Sequence, residues 1–256
     1  MVLFDYYIGI DYSGAETPTS RLKGLKLCMA NRNLEPAIVT TPTLGAKNWT
    51  RKEIAQWCAE KLADDERGII GIDHGFSFPV TYMQRYGLEN WDQFLGDFLT
   101  HWPTADDHTY VDFLIEDNQR IGDSSEFRLC EKWTSSTKSV FQLDGQGTVG
   151  KSTHAGIPWL LYLREDPRLR DKLHFWPFDG FEIHTDKSVI AEVYPSIFRR
   201  RYPREDRTLD EHDAWCIAAW MKSMDSSGAL ARYFKPPLTL AERRQCRLEG
   251  WILGVW

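Results

Sequence analysis

Acidic residues stand at the ends of the most apolar predicted strands of this chain. Asp11 follows the run YYIGI, and Asp73 follows the similar run GIIGI. Glu192 lies near the end of a third apolar run, VIAEV. Asp213 lies in the first turn of a predicted helix, on the same face as Asp210 three residues earlier. A carboxylate at the end of a buried strand is costly without a partner, and several converging carboxylates repel one another.

A divalent cation is the usual partner of such a group, because Mg²⁺ and Mn²⁺ prefer carboxylate and water oxygens. We therefore expect Mg²⁺ or Mn²⁺ to be bound by Asp11, Asp73 and Asp213, with Glu192 or Asp210 assisting. Metal ions held in this way activate a water molecule and stabilise the leaving oxygen in phosphodiester cleavage. The predicted catalytic residues are Asp11, Asp73, Glu192 and Asp213. Each acid alone also has a structural explanation, since Asp is common in turns after strands and near helix starts.

The elements that would position these acids alternate between strands and helices. Apolar runs predict strands at 6–10, 25–30, 37–41, 68–73 and 189–193, and a short strand at 138–143. Helices are predicted at 50–64, 89–102, 109–117, 210–224 and 241–249. Strands that are apolar throughout belong in the middle of a sheet with helices on both faces. The pattern predicts one α/β domain over 1–256, with its core at 1–79 and 189–256 and a long insertion at 80–188.

A glycine-rich loop within the insertion predicts a second kind of site. The run GQGTVGKS, which ends at Lys151 and Ser152, fits the phosphate-binding loop of NTP-binding proteins. Gly156 and Pro158 are expected to interrupt the helix that such a loop requires. No strand shortly downstream ends in the expected aspartate. Lys151 and Ser152 are therefore predicted either to contact a substrate phosphate near the acids or to form a structural turn.

Basic and imidazole side chains adjoin the acids. Arg199 and Arg200 begin a basic cluster soon after Glu192, and guanidinium groups suit the phosphates of a nucleic acid backbone. His74 and His212 are candidate proton carriers, because imidazole titrates near neutrality. The alternatives are a solvated basic face and histidines that only form hydrogen bonds. Further arginines continue the cluster or lie on the last predicted helix: Arg201, Arg204, Arg207, Arg243, Arg244 and Arg247.

Six segments, in their order along the chain, resemble a known family. They are IGIDYSG, IIGIDHGFSFP, FQLDGQGTVGKSTHAGIPWL, VIAEVYPSIF, HDAWCIAAW and EGWILGV. Together they are similar to the family named domain of unknown function 429, which is regarded as predicted ribonuclease H-like nucleases. The resemblance implies a ribonuclease H-like fold, with a mixed sheet flanked by helices. It assigns the metal site to Asp11, Asp73 and Asp213 and matches Glu192 to a family motif.

Two further likenesses bear on the site. Asp210 and Asp213 look like the last-helix acids of Holliday-junction resolvases. Ribonuclease H itself uses a Glu on its first helix, where Glu53 or Glu60 would stand, although neither fits a clear motif. The segment IGIDYSGAE also resembles the first phosphate loop of actin-like ATPases and sugar kinases, but those proteins generally need two such domains and this chain is too short for two.

Net charge and cysteine distribution limit the kinds of partner and metal site that the sequence predicts. The chain of 256 residues has 37 acids against 31 Lys and Arg, for a net charge of −6, which argues against coating nucleic acid by bulk charge. Residues 104–126 carry seven acids and one base, so this surplus equals the whole net charge and lies in the insertion. The five cysteines are scattered without a CxxC pair, which predicts neither a disulfide framework nor a zinc site.

These observations together predict a metal-dependent nuclease or phosphoester hydrolase with a local site for nucleic acid or a nucleotide. The sequence has no long apolar run and no signal-peptide pattern, so we expect a cytoplasmic protein without a membrane partner. Two alternatives stay open. One is an NTP-binding protein that uses the loop at 145–152, and the other is a catalytically silent binding module on the same fold.

Overall fold

A six-stranded mixed sheet forms the centre of the computed structural model, which describes residues 2–134, 137–145 and 147–256. Its strands are β1 (Tyr6–Asp11), β2 (Lys26–Asn31), β3 (Ala37–Ile38), β4 (Gly68–Asp73), β5 (Leu173–Trp176) and β6 (Ser188–Glu192). The order across the sheet is β3-β2-β1-β4-β6-β5. The first three strands pair antiparallel, whereas β1, β4, β6 and β5 are parallel neighbours. The fold is therefore α/β, as predicted.

Helices cover both faces of this sheet. They are α1 (Arg51–Ala63), α2 (Val80–Tyr86), α3 (Trp91–His101), α4 (Leu129–Trp133), α5 (Gly150–Glu165), α6 (Leu209–Ser226), α7 (Leu230–Tyr233) and α8 (Leu240–Glu249). Because side chains alternate along a strand, each face has its own core. Tyr6, Ile8 and Ile10 pack with α1, α2, α3 and α5, whereas Tyr7 packs with α6, α7 and α8. No helix in the described ranges is long and apolar enough to cross a membrane.

A glycine in β1 lets α6 lie directly against the sheet. A Cβ at Gly9 would stand 2.1 Å from the carbonyl oxygen of Ala214, so no larger residue fits there without moving the helix. At the far end of α6, the carboxylate of Asp225 accepts hydrogen bonds from the N–H groups of Leu3 and Phe4, at 2.8 and 2.9 Å. The helix therefore runs antiparallel to β1, and its first turn lies at the carboxyl end of that strand.

The segment 80–188 differs most from the sequence predictions. The helix predicted at 89–102 is confirmed as α3, but only a short 3-10 turn, Val111–Leu114, stands within the helix predicted at 109–117. The strand predicted at 138–143 is wrong: the chain turns there, and the N–H of Gln142 donates to the carbonyl of Ser139 at 2.9 Å. Strand β5 was not predicted, and it adds an edge strand to the same sheet beside β6.

The prediction that Gly156 and Pro158 break a helix after the glycine-rich loop is also wrong, since both lie inside α5. Proline cannot donate to the carbonyl four residues earlier, which belongs to His154. That carbonyl instead accepts the hydroxyl of Thr104 at 2.6 Å. The absence of a side chain at Gly156 leaves room for the imidazole of His74. A Cβ placed at residue 156 would lie 2.4 Å from Nε2 of His74. Tertiary contacts thus compensate both helix-breaking residues.

Candidate active site

Asp11 and Asp73 end neighbouring parallel strands side by side. Strands β1 and β4 pair in register, with Asp11 directly opposite Asp73. Neighbouring strands lie about 4.8 Å apart, and aligned residues direct their side chains to the same face. Alternation along β1 makes this the face of Gly9, against which α6 packs. The strand register therefore places the two carboxylates next to each other and towards α6.

Helix α6 brings two further acids to this edge of the sheet. Its start is fixed by a capping box, in which the Thr208 hydroxyl accepts from the N–H of Glu211 and the Glu211 carboxylate accepts from the N–H of Thr208, at 3.2 and 3.0 Å. Asp210 and Asp213 follow in the first turns. Together with the two strand-end aspartates they line an open cleft of about 580 Å³. We call this cavity the acid cleft.

Burial and mutual repulsion raise the pKa values of these acids. Burial raises the pKa of Asp11 well above its usual value, and the neighbouring carboxylates, Asp73 foremost, raise it further. Burial and the charge of Asp213 do the same to the pKa of Asp73. The pKa of Asp213 is also raised by burial, although Arg199 opposes this. The positive charge of Arg199 thus offsets only part of the burial and repulsion that disfavour the ionised carboxylates.

A set of carboxylates suits a hard divalent cation, but the present side-chain positions do not complete a metal site. Within the part of the chain that the structure describes, no group of three or more His, Cys, Asp or Glu side chains is placed to hold a metal ion. Oδ2 of Asp213 instead lies 2.8 Å from Nη1 of Arg199. A metal bound by Asp11, Asp73 and Asp213 would therefore require side chains to move.

Glu192 lies behind the acid cleft rather than in its lining. It is 4% exposed and forms a two-pronged ion pair with Arg128, with N–O distances of 2.6 and 2.7 Å. Its Oε2 also accepts from the N–H of Phe76 at 3.1 Å. Both carboxylate oxygens are thus occupied. Sequence reasoning missed Arg128, because nothing in its surroundings within the segment 80–188 marks it as a partner of a strand-end acid.

Lys151 and Ser152 line the acid cleft at the start of α5. Nζ of Lys151 is paired with Asp112 at 2.6 Å and with Asp144 at 2.9 Å. The Ser152 hydroxyl donates to the carbonyl of Val149 at 3.0 Å. A helix does follow the glycine-rich loop, but the described residues before it, 137–145, form turns instead of the strand that a phosphate-binding loop follows.

The two predicted arginines line adjoining cavities, whereas the two predicted histidines lie outside the acid-cleft lining. Arg199 lines the acid cleft, whereas Arg200 lines an adjoining cavity of about 550 Å³. His212 is buried within 3.6 Å of Cys216 Sγ, and its burial lowers its pKa. Burial lowers the pKa of His74 to about 4, and its Nδ1 bonds the carbonyl of the next residue. Neither imidazole is part of the acid-cleft lining.

The two glutamates of α1 do not lie in the acid cleft. Glu53 completes the capping box of that helix with Thr50 and pairs with Arg21, and Glu60 is exposed. Helix α1 instead contributes Arg51, whose fully buried guanidinium donates to the carbonyls of three residues of the loop after β1, at 2.7–3.1 Å. This loop borders the acid cleft. Arg51 thus holds one wall of the acid cleft in place. No sequence motif predicted this role for Arg51.

Comparison with known proteins gives no relative from which a role could be transferred. No model of a protein family, no curated protein and no solved structure matches the chain. The case for function therefore depends on the site itself.

Proposed function

We propose that the protein is a divalent-metal-dependent phosphodiesterase, acting as a nuclease on a ribonuclease H-like fold. One observation carries the proposal: Asp11 and Asp73 are ladder partners at the ends of parallel strands and share the acid cleft with Asp213. The strand order supports it. The antiparallel strands β1–β3, helix α1, the parallel strands β4 and β6 and the acid-bearing helix α6 occur in the order that the resemblance to ribonuclease H-like proteins implies. Helices α2–α5 and the edge strand β5 are inserted between β4 and β6, and α7 and α8 follow α6.

Asp11, Asp73 and Asp213 would hold Mg²⁺ or Mn²⁺, and Asp210 is the fourth candidate ligand because it lines the same cleft. When bound, the metal would supply an activated water and would neutralise charge on the phosphate. The raised pKa values of Asp11 and Asp73 support a cation here, because burial and the neighbouring carboxylates disfavour their ionised forms, which a bound cation would stabilise. Glu192 would position this edge of the sheet instead of binding metal, since Arg128 occupies both of its oxygens.

The remaining polar side chains of the cleft would bind and orient the substrate. Lys151 lies in its lining and would contact a phosphate oxygen, with Ser152 beside it. Arg199 lines both this cleft and the adjoining cavity and would contact a phosphate from the adjoining cavity. Arg200, in the adjoining cavity, would contact a phosphate further along a polynucleotide. The surplus of acids in residues 104–126 includes Asp112, which pairs with Lys151 at 2.6 Å, so a substrate phosphate would have to displace Asp112 from this lysine.

A cleavage assay tests the proposal. Labelled DNA and RNA, single- and double-stranded, are incubated with Mn²⁺ and with wild type, Asp11→Asn or the matched control Asp206→Asn, an exposed acid outside the cleft lining. We expect Asp11→Asn to lose at least about 100-fold in rate, since even the outer partners of a metal ligand are worth about 10–100-fold. Asp206→Asn should retain full activity. Equal cleavage by wild type and Asp11→Asn would contradict the proposal.

A catalytically silent binding module is the second candidate. It is favoured by the finding that the described residues contain no complete three-ligand group and that Asp213 is paired with Arg199. Calorimetric titration with Mn²⁺ separates the two candidates. Saturable binding that is lost in Asp73→Asn supports the nuclease, whereas nucleic acid binding without any Mn²⁺ binding supports the silent module.

A further inference from the structure

Arg199 is the countercharge of the acid cleft. Its Nη1 lies 2.8 Å from Oδ2 of Asp213, and its positive charge opposes the raised pKa values of Asp11, Asp73 and Asp213. The other base in the cleft lining, Lys151, is paired with two aspartates outside the acid group. Among the bases that line the cleft, Arg199 is thus the one that faces the candidate metal ligands.

A second cavity, next to the acid cleft, can hold the side chain of Arg199. It is 42% exposed, whereas its partner Asp213 is 14% exposed, so the guanidinium end can leave the pair without unpacking the core. Arg199 also lines the adjoining cavity of about 550 Å³, together with Arg200 and Arg201. It begins the short 3-10 turn Arg199–Arg201 between the two cavities. A long flexible side chain at this position reaches either side.

We propose that Arg199 is an exchangeable countercharge, which neutralises Asp213 when no divalent cation is bound and moves into the adjoining arginine-lined cavity when a cation binds. The inference rests on the proposed function, because it assumes that the acid cleft accepts a divalent cation. It accounts for the partner of Asp213 when no metal is bound. It also predicts that Arg199 and the cation compete for the same carboxylate.

Competition is measured directly by titrating Mn²⁺ into the intact protein, with no substrate present. The variants are Arg199→Gln, which removes the competing charge, Arg199→Lys, which retains it, and Arg204→Gln, which removes a nearby exposed base outside the lining of both cavities. Since coupling between two sites is typically worth about fivefold or more, we expect Arg199→Gln to bind Mn²⁺ at least about fivefold more tightly than wild type. Arg199→Lys should stay within about twofold of wild type because it keeps the competing charge. Arg204→Gln should also stay within about twofold, as expected for an exposed charge that is not coupled to the acids.

A second readout follows the arginine itself. In a Mg²⁺ titration monitored by NMR, the side-chain Nε–H signal of Arg199, assigned by its loss in Arg199→Gln, should shift saturably as the ion pair breaks. The signal of Arg128, which is buried with Glu192, should not shift. If the Nε–H signal of Arg199 does not shift at saturating Mg²⁺, the proposed exchange is wrong.

The outcomes distinguish this inference from the proposed function. If wild type binds Mn²⁺ and Arg199→Gln binds it no more tightly, or if Arg204→Gln shows the same gain, the countercharge role is wrong and the metal site stands. If neither wild type nor any Arg199 variant binds Mn²⁺ and no cleavage is seen, the proposed function is wrong and the inference is overturned with it.

Discussion

Two groups of acids lie near the carboxyl edge of the sheet, and they differ in the positive charges that pair with them. Behind the acid cleft, Glu192 and Glu131 surround the fully buried Arg128, which bonds both carboxylates at 2.6–2.9 Å. Although burial alone would lower the pKa of Arg128, its neighbours raise it well above its ordinary value. In the acid cleft, Asp11 and Asp73 adjoin each other, and the nearest base, Arg199, pairs with Asp213 instead.

The difference separates structural acids from candidate functional ones. Glu192 ends a strand as Asp11 and Asp73 do, so position alone does not reveal function. We use countercharge to separate them: Arg128 pairs with both oxygens of Glu192, whereas in the acid cleft Arg199 pairs with Asp213 and leaves Asp11 and Asp73 as the candidate cation ligands. Substitutions in each group test this contrast, and Arg128 has the greatest expected effect.

Removing Arg128 should have the largest effect on stability. Arg128→Met leaves Glu192 and Glu131 buried without a partner, which typically costs about 3–5 kcal/mol. The matched change Arg199→Met breaks an exposed pair, which typically costs about 0–1 kcal/mol. Chemical denaturation of both variants gives the two unfolding free energies. If the losses are equal and small, the contrast between the two acid groups is wrong.

Filling the contact between β1 and α6 should disturb the acid cleft and leave the Arg128 group in place. Gly9→Ala puts a Cβ 2.1 Å from the carbonyl of Ala214, so α6 must shift, at a cost of about 1–3 kcal/mol. Gly96→Ala is the control, because its Cβ meets nothing within 4 Å in the middle of α3. That control should gain about 0.5–1 kcal/mol. A Gly9→Ala variant as stable as wild type would argue against the close packing that positions Asp213.

Removing one acid of the cleft should stabilise the metal-free protein. The pKa of Asp73 is raised in the folded state, so its contribution to stability is complete below the unfolded value of about 3.9 and is lost as the pH rises through the folded pKa. Asp73→Asn avoids this loss. We expect it to exceed wild type by about 1 kcal/mol at pH 8, with the difference disappearing near pH 4.

Thermal denaturation in EDTA across this pH range measures the effect of Asp73→Asn. The exposed Asp206→Asn is the control and should follow wild type at every pH. A metal-free Asp73→Asn that is less stable than wild type at pH 8 would show that this carboxylate is satisfied by the protein, as Glu192 is.

Replacing Lys151 should have the smallest effect on the fold. Lys151→Ala removes half-exposed pairs with Asp112 and Asp144, so stability should change by less than about 1 kcal/mol. If Lys151 contacts a substrate phosphate, the KM should rise about fivefold with little change in kcat. Steady-state kinetics checks this. ATP binding that disappears in Lys151→Ala would instead support the NTP-binding alternative.

The sequence predicted the central strands and the helices that follow a simple pattern. β1, β4 and β6 are continuous apolar runs, and α1 and α6 have clear caps and apolar faces, so local signals were sufficient. The resulting prediction placed Asp11, Asp73 and Asp213 at one edge of a sheet. Their shared cleft was within reach of sequence reasoning because parallel strands end on the same side.

What the sequence could not predict depends on distant contacts. Helix α5 holds Pro158 because Thr104, more than fifty residues earlier, bonds the carbonyl that proline leaves free. Strand β5 has four buried residues and no alternation, so it is recognisable only beside β6. The role of Glu192 depends on Arg128, which lies 64 positions away along the chain. Countercharge is a tertiary property, and it decides which acids are free to bind a cation.

The position of bound Mn²⁺ in a crystal structure would show whether the acid cleft is a metal site. Crystals grown with Mn²⁺ and measured at the manganese absorption edge should show an anomalous peak in the acid cleft, about 2.0–2.4 Å from carboxylate oxygens of Asp11 and Asp73. Arg199 should then point away from Asp213, and Arg128 should remain on Glu192. A cleft without a peak at saturating Mn²⁺, with the Arg199–Asp213 pair intact, would contradict the account.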